Sequence, residues 1–320
     1  MPSPVRILIA EPLDFSPEAV AHLRRIGEVD LRQCDREQLK AAFREYDVVW
    51  FRLAHRVDRT FFVQPLRCRI LAVPVTGLDH IDLQACAEHN VSVVSLRGEY
   101  DFLKDIRATA ELTIGLALSL LRRIPAAAAD VLAGNWNRDR FRGRELFGKS
   151  IGLVGVGRLG QIVARYFRAF DAEVIGFDPR PDFPLEVARR VASLPELLNR
   201  SDLVSIHVNY QDSTRHLIGA REFEQFKPGS ILVNTSRGGI VDEQALLAAL
   251  ESGRLAGAAL DVLDGEPNIT ATHPVAQYAR SHANVLIVPH IGGNTAESFA
   301  KTELFLADRV VSTWREISAA

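Results

Sequence analysis

The sequence predicts an α/β protein made of two domains, each a parallel sheet wound on both faces by helices. Three observations support this fold class. Short apolar runs alternate with amphipathic stretches along the chain, which is typical of strand–helix–strand units. A glycine-rich turn follows one apolar run near the middle of the chain. The length, 320 residues, is that of two ordinary domains.

The first 95 residues alternate predicted strands and helices. Parallel strands need a crossover connection, usually a helix, so this alternation predicts a parallel sheet. The predicted elements are helices over residues 17–26 and 36–45, and strands over residues 6–10, 48–51, 70–75 and 91–95.

Residues 108–123 then form a predicted long helix that is apolar on nearly every face. A helix that is hydrophobic all round must be buried. Burial inside one domain, between domains or against a partner chain would each satisfy this requirement, and the sequence leaves the three open.

From residue 151 the alternation resumes, and six more strands with interleaved helices predict a full doubly wound sheet. A last helix over residues 295–317 carries apolar positions, and we expect it to fold back onto the first domain, which makes that domain discontinuous. The predicted elements of this half are strands over residues 151–155, 173–177, 202–207, 231–234, 257–262 and 285–288, and helices over residues 158–170, 193–199, 219–226 and 242–252.

The turn after the strand at 151–155 has the pattern Gly-x-Gly-x-x-Gly. Gly155 allows a tight turn, Gly157 lets the backbone approach a pyrophosphate, and Gly160 lets the following helix pack closely on the strand. The start of that helix offers free N–H groups and a positive dipole end to phosphates. This context predicts a dinucleotide-binding unit rather than an ordinary turn.

Asp178 ends the next strand, 23 residues after Gly155, and it bears on the choice of cofactor. A carboxylate at this place accepts hydrogen bonds from the ribose hydroxyls of NAD and repels the extra phosphate of NADP. Arg180 lies two residues further on, and its positive charge would weaken the repulsion of that phosphate. NAD is therefore favoured as the cofactor, and NADP stays open.

Polar residues also follow the other predicted strands of this half, and parallel strands carry ligands at their carboxyl ends. Arg237 follows a buried strand and precedes two glycines, which we expect to leave room for a ligand. Its guanidinium can hold a carboxylate through two parallel hydrogen bonds, although a structural ion pair is the alternative.

His290 follows the last predicted strand, and Glu266 lies just beyond the strand before it. Histidine is the natural proton donor near neutral pH, and a carboxylate beside it holds its ring orientation. Either residue alone is more often structural than catalytic. Together with Arg237 at the same sheet edge, they predict an acid–base site.

These motifs resemble those of the D-isomer-specific 2-hydroxyacid dehydrogenases over nearly the whole chain. Glu266 stands where the related formate dehydrogenases have glutamine, which favours proton exchange with a hydroxyl group. The charged segment 97–107 and the lack of a proline after His207 depart from the family pattern. The matching segments are residues 76–82, 110–113, 148–152, 234–242, 265–267 and 289–293.

The resemblance implies a Rossmann-like nucleotide domain over residues 99–296. It also implies a smaller, flavodoxin-like substrate domain formed by residues 1–98 and 297–320. Family members are usually dimers through the nucleotide domain, so we expect a homodimer with NAD as cofactor and a small 2-oxo or 2-hydroxy acid as substrate.

The resemblance further implies that Arg237 binds the substrate carboxylate and polarises the 2-oxo group. His290, with Glu266 as its partner, would exchange a proton with the oxygen on C2, and NADH would deliver hydride to C2. The implied cofactor contacts are Gly155, Gly157, Arg158, Leu159, Gly160, Asp178, His207, Thr235, Asp261 and Gly292.

The expected substrate contacts lie in the first half of the chain. The resemblance implies that backbone amides near Thr76, Gly77 and Leu78 bind the substrate carboxylate. Arg52 follows a predicted strand and is a candidate for a second anionic group of the substrate, with a solvated surface arginine as the alternative. Two other functions stay open: an NADH-sensing binding protein like the corepressors of this fold, and a phosphite-type dehydrogenase.

Composition narrows the classes of function. The formal net charge is −2, so no overall field favours nucleic acid or an anionic membrane. Cys34, Cys68 and Cys86 lack metal-binding or paired spacing, so we expect no disulfide framework and no metal site. Apolar stretches are too short for a signal peptide or a membrane span, and we expect a cytoplasmic protein with reduced thiols.

Overall fold

The computed structural model describes residues 4–319, which form two compact units. The first unit contains the chain up to Ile106 and from Thr295 onward, and the second is Arg107–Asn294. The chain thus passes between units after Ile106 and after Asn294, where the sequence predicted boundaries after residues 98 and 296.

The first unit is built on a five-stranded parallel sheet in the order β2-β1-β3-β4-β5. Side chains that alternate along the strands form an apolar core on each face of this sheet. The strands are β1 Val5–Ile9, β2 Gly27–Leu31, β3 Val48–Trp50, β4 Ile70–Val73 and β5 Ser92–Ser95, and the helices before residue 107 are α1 Pro17–Leu23, α2 Arg36–Glu45, α3 Leu83–Glu88 and α4 Tyr100–Leu103.

The helix α12 (Ala296–Ala319) completes the first unit, although it follows the second unit in the chain. Its residues Leu306, Ala307 and Val310 are fully buried in the same core as α1. The charged segment before residue 107 also packs on α12, because Phe102 stacks on Phe305 at a ring-centroid distance of 4.0 Å.

The second unit is built on a seven-stranded parallel sheet in the order β12-β11-β10-β9-β6-β7-β8. The strands are β6 Ser150–Val154, β7 Glu173–Phe177, β8 Arg189–Arg190, β9 Leu203–Ile206, β10 Ser230–Asn234, β11 Leu255–Leu260 and β12 Val285–Ile287. The helices are α5 Ala108–Leu121, α6 Ile124–Leu132, α7 Arg158–Arg168, α8 Leu194–Arg200, α9 Ala220–Gln225, α10 Glu243–Glu251 and α11 Pro274–Ser281.

Helices cover both faces of this sheet. One core contains residues of α5 and α7, and the other contains residues of α8, α9 and α10. The helix α5 buries about half of its residues within the second unit, Leu116 and Leu120 among them. The predicted fold class, two parallel-sheet α/β domains with helices, is therefore confirmed.

Two edge strands were not predicted, and both are polar. The strand β2 reads Gly-Glu-Val-Asp-Leu and has no fully buried residue, while β8 is only Arg189–Arg190. An edge strand need not carry an apolar run, because only one side of it pairs with the sheet.

Among the described residues, no single helix is long and apolar enough to span a membrane. The bent pair α5 and α6, at 62°, passes that test on length and composition alone.

Candidate active site

The candidate site residues of the second unit follow neighbouring strands of one parallel sheet. Arg237, Glu266 and His290 come after β10, β11 and β12, which are adjacent in the sheet. The glycine turn follows β6, and Asp178 follows the next strand, β7. Because all these strands run parallel, their carboxyl ends meet at one edge of the sheet, where ligands of such folds bind.

The glycine turn between β6 and α7 requires its glycines for two different reasons. Gly155 has φ +92°, and a Cβ on Gly160 would lie only 2.3 Å from the carbonyl oxygen of Gly155. A Cβ on Gly157, in contrast, would meet nothing closer than 3.9 Å, a nitrogen of Arg180. Gly155 and Gly160 therefore serve the fold, whereas Gly157 leaves open space before the first residue of α7, which fits a cofactor pyrophosphate.

Asp178 is 6% exposed, and both of its carboxylate oxygens accept hydrogen bonds. The backbone N–H of Val156 donates to Oδ2 at 2.9 Å, and the Arg180 side chain donates to Oδ1 at 3.0 Å and to Oδ2 at 3.2 Å. Burial acts to raise the pKa of Asp178, but the hydrogen bonds from Arg180 and Val156 outweigh it and lower the pKa overall. Asp178 is thus a carboxylate that already has a guanidinium beside it.

His207 follows β9, and its backbone packs against the glycine turn, since a Cβ on Gly155 would lie 2.7 Å from the His207 carbonyl oxygen. Its Nε2 lies 2.9 Å from the Ser205 hydroxyl, while its Nδ1 is buried and has no hydrogen-bond partner among the described residues. Burial lowers the pKa of His207 to about 3, so the ring is neutral at physiological pH. A buried polar atom without a partner fits a site that a polar cofactor group completes.

Arg237 is half-buried at the start of the turn after β10, and local hydrogen bonds shape that turn. The Asn234 side chain donates to the Arg237 carbonyl at 2.9 Å and accepts from the Ser236 N–H at 3.0 Å. A Cβ on Gly238 would lie 2.0 Å from the Leu263 backbone, so close packing at this residue requires glycine. That the two glycines also leave room for a ligand stays a prediction.

His290 and Glu266 form a direct pair in the second unit. The Nδ1 atom of His290 lies 2.8 Å from Oε1 of Glu266, and the two side chains are 24% and 27% exposed. Glu266 therefore holds a proton on Nδ1, which leaves Nε2 as the ring atom able to exchange a proton with a ligand. His290 also has φ +53°, an unusual backbone conformation for a residue other than glycine.

Asp261 fixes the backbone of His290 and of the two residues that follow it. Its buried carboxylate accepts the N–H of Ile291 at 2.6 Å and of Gly292 at 2.9 Å, and its carbonyl accepts the His290 N–H at 2.7 Å. Burial raises the pKa of Asp261, and the two backbone donors oppose that change. Asp261 thus stabilises the loop whose φ +53° residue is His290, since three hydrogen bonds oppose the local strain.

Thr235 is buried, and its hydroxyl lies 2.8 Å from that of Thr113 on α5. The Thr113 hydroxyl donates to the Thr109 carbonyl at 2.8 Å. Because a hydroxyl has one hydrogen, Thr235 is the donor to Thr113. Thr113 was not among the residues predicted from the sequence. The one signal that could have identified it is its place on a helix with few other polar residues.

The predicted substrate contacts lie in the first unit. Thr76, Gly77 and Leu78 follow β4, and Leu78 is buried. Arg52 follows β3 and is not a solvated surface arginine, because its side chain is 13% exposed. It donates to the carboxylate of the buried Glu303 and lies 4.2 Å above the Phe299 ring. Its role toward a substrate stays a prediction.

A parallel sheet with this glycine turn, a terminal acid and polar residues along the carboxyl edge defines a dinucleotide-binding α/β protein. Residues 114–292, more than half of the chain, match the model of the "D-isomer specific 2-hydroxyacid dehydrogenase, NAD binding domain". The chain belongs to the D-isomer-specific 2-hydroxyacid dehydrogenase family, and its second unit carries the NAD-binding domain. The predicted family and cofactor are confirmed.

Named relatives support this membership. A D-3-phosphoglycerate dehydrogenase of Methanocaldococcus jannaschii is 34% identical over 97% of this chain and 58% of its own length. A hydroxypyruvate reductase of Thermotoga maritima is 33% identical over 95% of this chain and 97% of its own length. The chain thus spans little more than half the length of several phosphoglycerate dehydrogenases that it matches.

Among solved structures, a D-lactate dehydrogenase from Aquifex aeolicus complexed with NAD and lactic acid is similar to this chain. Its TM-score is 0.84 with 25% identity, over 97% of this chain and 96% of the other.

Proposed function

We propose that this protein is an NAD-dependent D-2-hydroxyacid dehydrogenase that reduces a small 2-oxo acid. The observation that supports it best is the pair of His290 and Glu266, 2.8 Å apart, in the unit that binds the dinucleotide. Arg237 follows the strand adjacent to the one that precedes Glu266, so the three chemical groups lie at one edge of the sheet.

In this proposal each residue has a role that follows from its chemistry. Arg237 binds the substrate carboxylate through a charge-assisted hydrogen-bond pair and polarises the 2-oxo group. His290 donates the proton from Nε2 to the carbonyl oxygen, and Glu266 keeps the ring oriented. The reduced cofactor, when bound, supplies the hydride that C2 accepts.

The residues of the glycine turn would hold the cofactor. The Gly157 side of α7, with Arg158 and Leu159, would receive the pyrophosphate, and Asp178 the adenosine ribose. His207, whose Nδ1 has no hydrogen-bond partner in the described part of the chain, would lie toward the nicotinamide. The remaining proposed cofactor contacts are Gly155, Gly160, Thr235, Asp261 and Gly292.

A substrate screen tests the proposal. We expect steady NADH oxidation with hydroxypyruvate or pyruvate, the compounds suggested by the names of the relatives, and a D-hydroxy acid product on chiral chromatography. Binding of NADH without turnover on a broad panel of 2-oxo acids would favour the sensor instead, and NAD reduction by phosphite would favour the phosphite-type enzyme.

The change His290→Gln is the sharpest single variant for this proposal. Loss of a positioned general acid costs roughly 10²–10⁴ in rate, so we expect kcat to fall within that range. NADH affinity, measured by quenching of protein fluorescence, should stay within about twofold, because His290 is not a proposed cofactor contact. An equal loss of both would assign His290 a structural role.

We also propose a homodimer in the cytoplasm, formed through the nucleotide unit. The helix α6 has no buried residue; its last residue, Leu132, is 90% exposed, and Trp136 just beyond it is 91% exposed. Exposed apolar residues grouped in this way are typical of a protein interface, and a second copy of the chain would cover them.

A further inference from the structure

Glu243, at the start of α10, lies outside the groups assigned above, yet its carboxylate joins two separate parts of the chain. Its Oε1 accepts the backbone N–H of Asp264 at 2.9 Å. Its Oε2 lies 3.2 Å from Nε2 of His273. The side chains of Glu243 and His273 are 17% and 14% exposed, so both are largely shielded from solvent.

The two partners of Glu243 mark the two ends of one loop. This loop, residues 264–273, connects β11 to α11, and it carries Glu266. Most of its residues are exposed, and Ile269 is its partly buried hydrophobic residue that packs on the core. A loop with so little apolar packing has low local stability unless polar contacts hold it.

His273, at the far end of the loop, has Glu243 as the partner of its ring. His273 Nδ1 is buried and has no hydrogen-bond partner within residues 4–319. Because an ionised carboxylate can only accept a hydrogen bond, Nε2 of His273 is the ring atom that donates to Glu243.

We propose that Glu243 is a positioning residue for the reaction, which fixes both ends of the 264–273 loop so that Glu266 meets Nδ1 of His290. The proposal rests on the proposed function for its catalytic consequence. Its structural part, the link from Glu243 to the His290–Glu266 pair, is independent of any turnover.

The charges around Glu243 explain why its carboxylate needs the two contacts with the loop. Burial raises the pKa of this carboxyl group, and the nearby Asp264 and Asp242 add to the rise. The Asp264 N–H and His273 act in the opposite direction. An ionised carboxylate that is partly buried beside two other acids costs free energy, and the contacts of Glu243 with Asp264 and His273 offset that cost.

The test compares Glu243→Ala with Glu222→Ala. Glu222 is the matched control, because it also accepts a backbone N–H in the second unit, that of Gly219 at 3.1 Å, but does not contact the loop. We expect Glu243→Ala to lower kcat by roughly tenfold to 10²-fold, since a misplaced catalytic group costs up to that much. NADH affinity should stay within about twofold, and Glu222→Ala should leave both unchanged.

A spectroscopic measurement keeps the inference separate from the proposed function. In the substrate-free protein, ¹⁵N NMR reports which ring nitrogen of neutral His290 carries the proton, with the signal assigned by its loss in His290→Gln. Glu243→Ala should shift the proton population from Nδ1 toward Nε2, in the same direction as Glu266→Gln. This shift without any wild-type turnover would support the inference and overturn the proposed function.

Several results would overturn the inference. One is an unchanged His290 tautomer in Glu243→Ala together with a kcat equal to that of the Glu222→Ala control. Another is a parallel loss of kcat, NADH affinity and thermal stability, which would make Glu243 merely structural. If Glu243→Ala does not fold, His273→Asn, which removes the contact at the far end of the loop, carries the same readouts. Glu243→Gln keeps an acceptor for Asp264, so it should recover most of the rate.

Discussion

Asp178 makes hydrogen bonds inside the protein that compete with its proposed role in binding ribose. Its carboxylate stabilises the glycine turn through Val156 and is also paired with Arg180. A carboxylate with a guanidinium beside it repels a phosphate less than an isolated one. Under the proposed function, we therefore expect the discrimination between NAD and NADP to depend on both residues, and the two can be varied separately.

We predict opposite effects on cofactor preference from two variants. Asp178→Ala removes the acceptor for the ribose hydroxyls and should narrow the NADH-over-NADPH ratio of kcat/KM by about tenfold or more, since a hydrogen bond to a charged group contributes about 1.5–3 kcal/mol. Arg180→Ala leaves the carboxylate uncompensated and should widen that ratio. Steady-state kinetics with both cofactors measures it. An unchanged ratio in both variants would exclude Asp178 from the ribose site.

At the scale of elements, the glycines of the turn between β6 and α7 differ in whether the fold or the proposed cofactor site requires them. A Cβ on Gly160 would collide with the Gly155 carbonyl oxygen at 2.3 Å, whereas a Cβ on Gly157 would occupy open space. The same three-glycine pattern thus contains two positions that the fold requires, Gly155 and Gly160, and one, Gly157, that the proposed cofactor site requires.

The alanine variants of these two glycines should therefore behave differently. We expect Gly160→Ala to lower thermal stability, because overpacking against backbone costs about 1–3 kcal/mol. Gly157→Ala should melt like the wild type in the absence of cofactor and bind NADH at least tenfold more weakly, because the methyl group fills the space before α7. Calorimetry of the free protein and fluorescence titration with NADH distinguish the two. A Gly157→Ala protein with normal NADH affinity would contradict this account.

The elements that the sequence predicted well are those whose own side chains specify them. The strand β6 is nearly all apolar, and α7 presents an apolar face, so both were located within two residues. The strands β2 and β8 were missed because an edge position supplies pairing without burial. The helix α6 was missed because its apolar residues are exposed and show no buried stripe.

The residues of the candidate site also differ in whether the sequence alone could point to them. Glycine spacing and strand ends identified Asp178, Arg237 and His290, because the chemistry of a parallel sheet places ligands at one edge. Glu243 could not be found from the sequence, since its contact with His273 joins residues that are distant along the chain. The φ +53° of His290 is likewise stabilised by tertiary hydrogen bonds that backbone N–H groups of the loop donate to Asp261.

For the whole molecule, the half-buried His207 predicts a pH dependence of stability. Its pKa is about 3 in the folded protein, and a histidine in an unfolded chain has a pKa of about 6.5. Between these values the unfolded chain binds a proton that the folded chain does not. The free energy of unfolding should therefore decrease as pH falls below about 6.5, by up to about 1.4 kcal/mol per pH unit from this residue.

Urea unfolding of the cofactor-free protein at pH 7, 6 and 5 measures this dependence. His207→Gln should show a shallower loss of stability toward low pH than the wild type. His282→Gln, a change at an exposed histidine, is the control and should follow the wild type. Identical pH profiles for His207→Gln and the wild type would refute the assignment.

The proposed assembly is testable at the same scale. Leu132→Glu places a charge within the exposed apolar group near α6 and should convert a dimer to a monomer in light scattering, because burying an unpaired charge in an interface is costly. Leu185, which is 72% exposed elsewhere in the second unit, gives the control Leu185→Glu, which should stay dimeric. A wild-type protein that is monomeric at micromolar concentration would contradict the dimer.

The placement of α12 has a consequence for how the protein is made. A ribosome delivers all strands of the first sheet early, yet the apolar face of Trp50 and Ile70 is closed by Leu306 and its neighbours, which emerge only after the entire second unit. The nucleotide-binding unit can complete its fold first, while one apolar face of the earlier-made sheet is covered only in part, by α1. Synthesis that stalls before α12 would leave a chain with one finished unit and one open to chaperones and proteases.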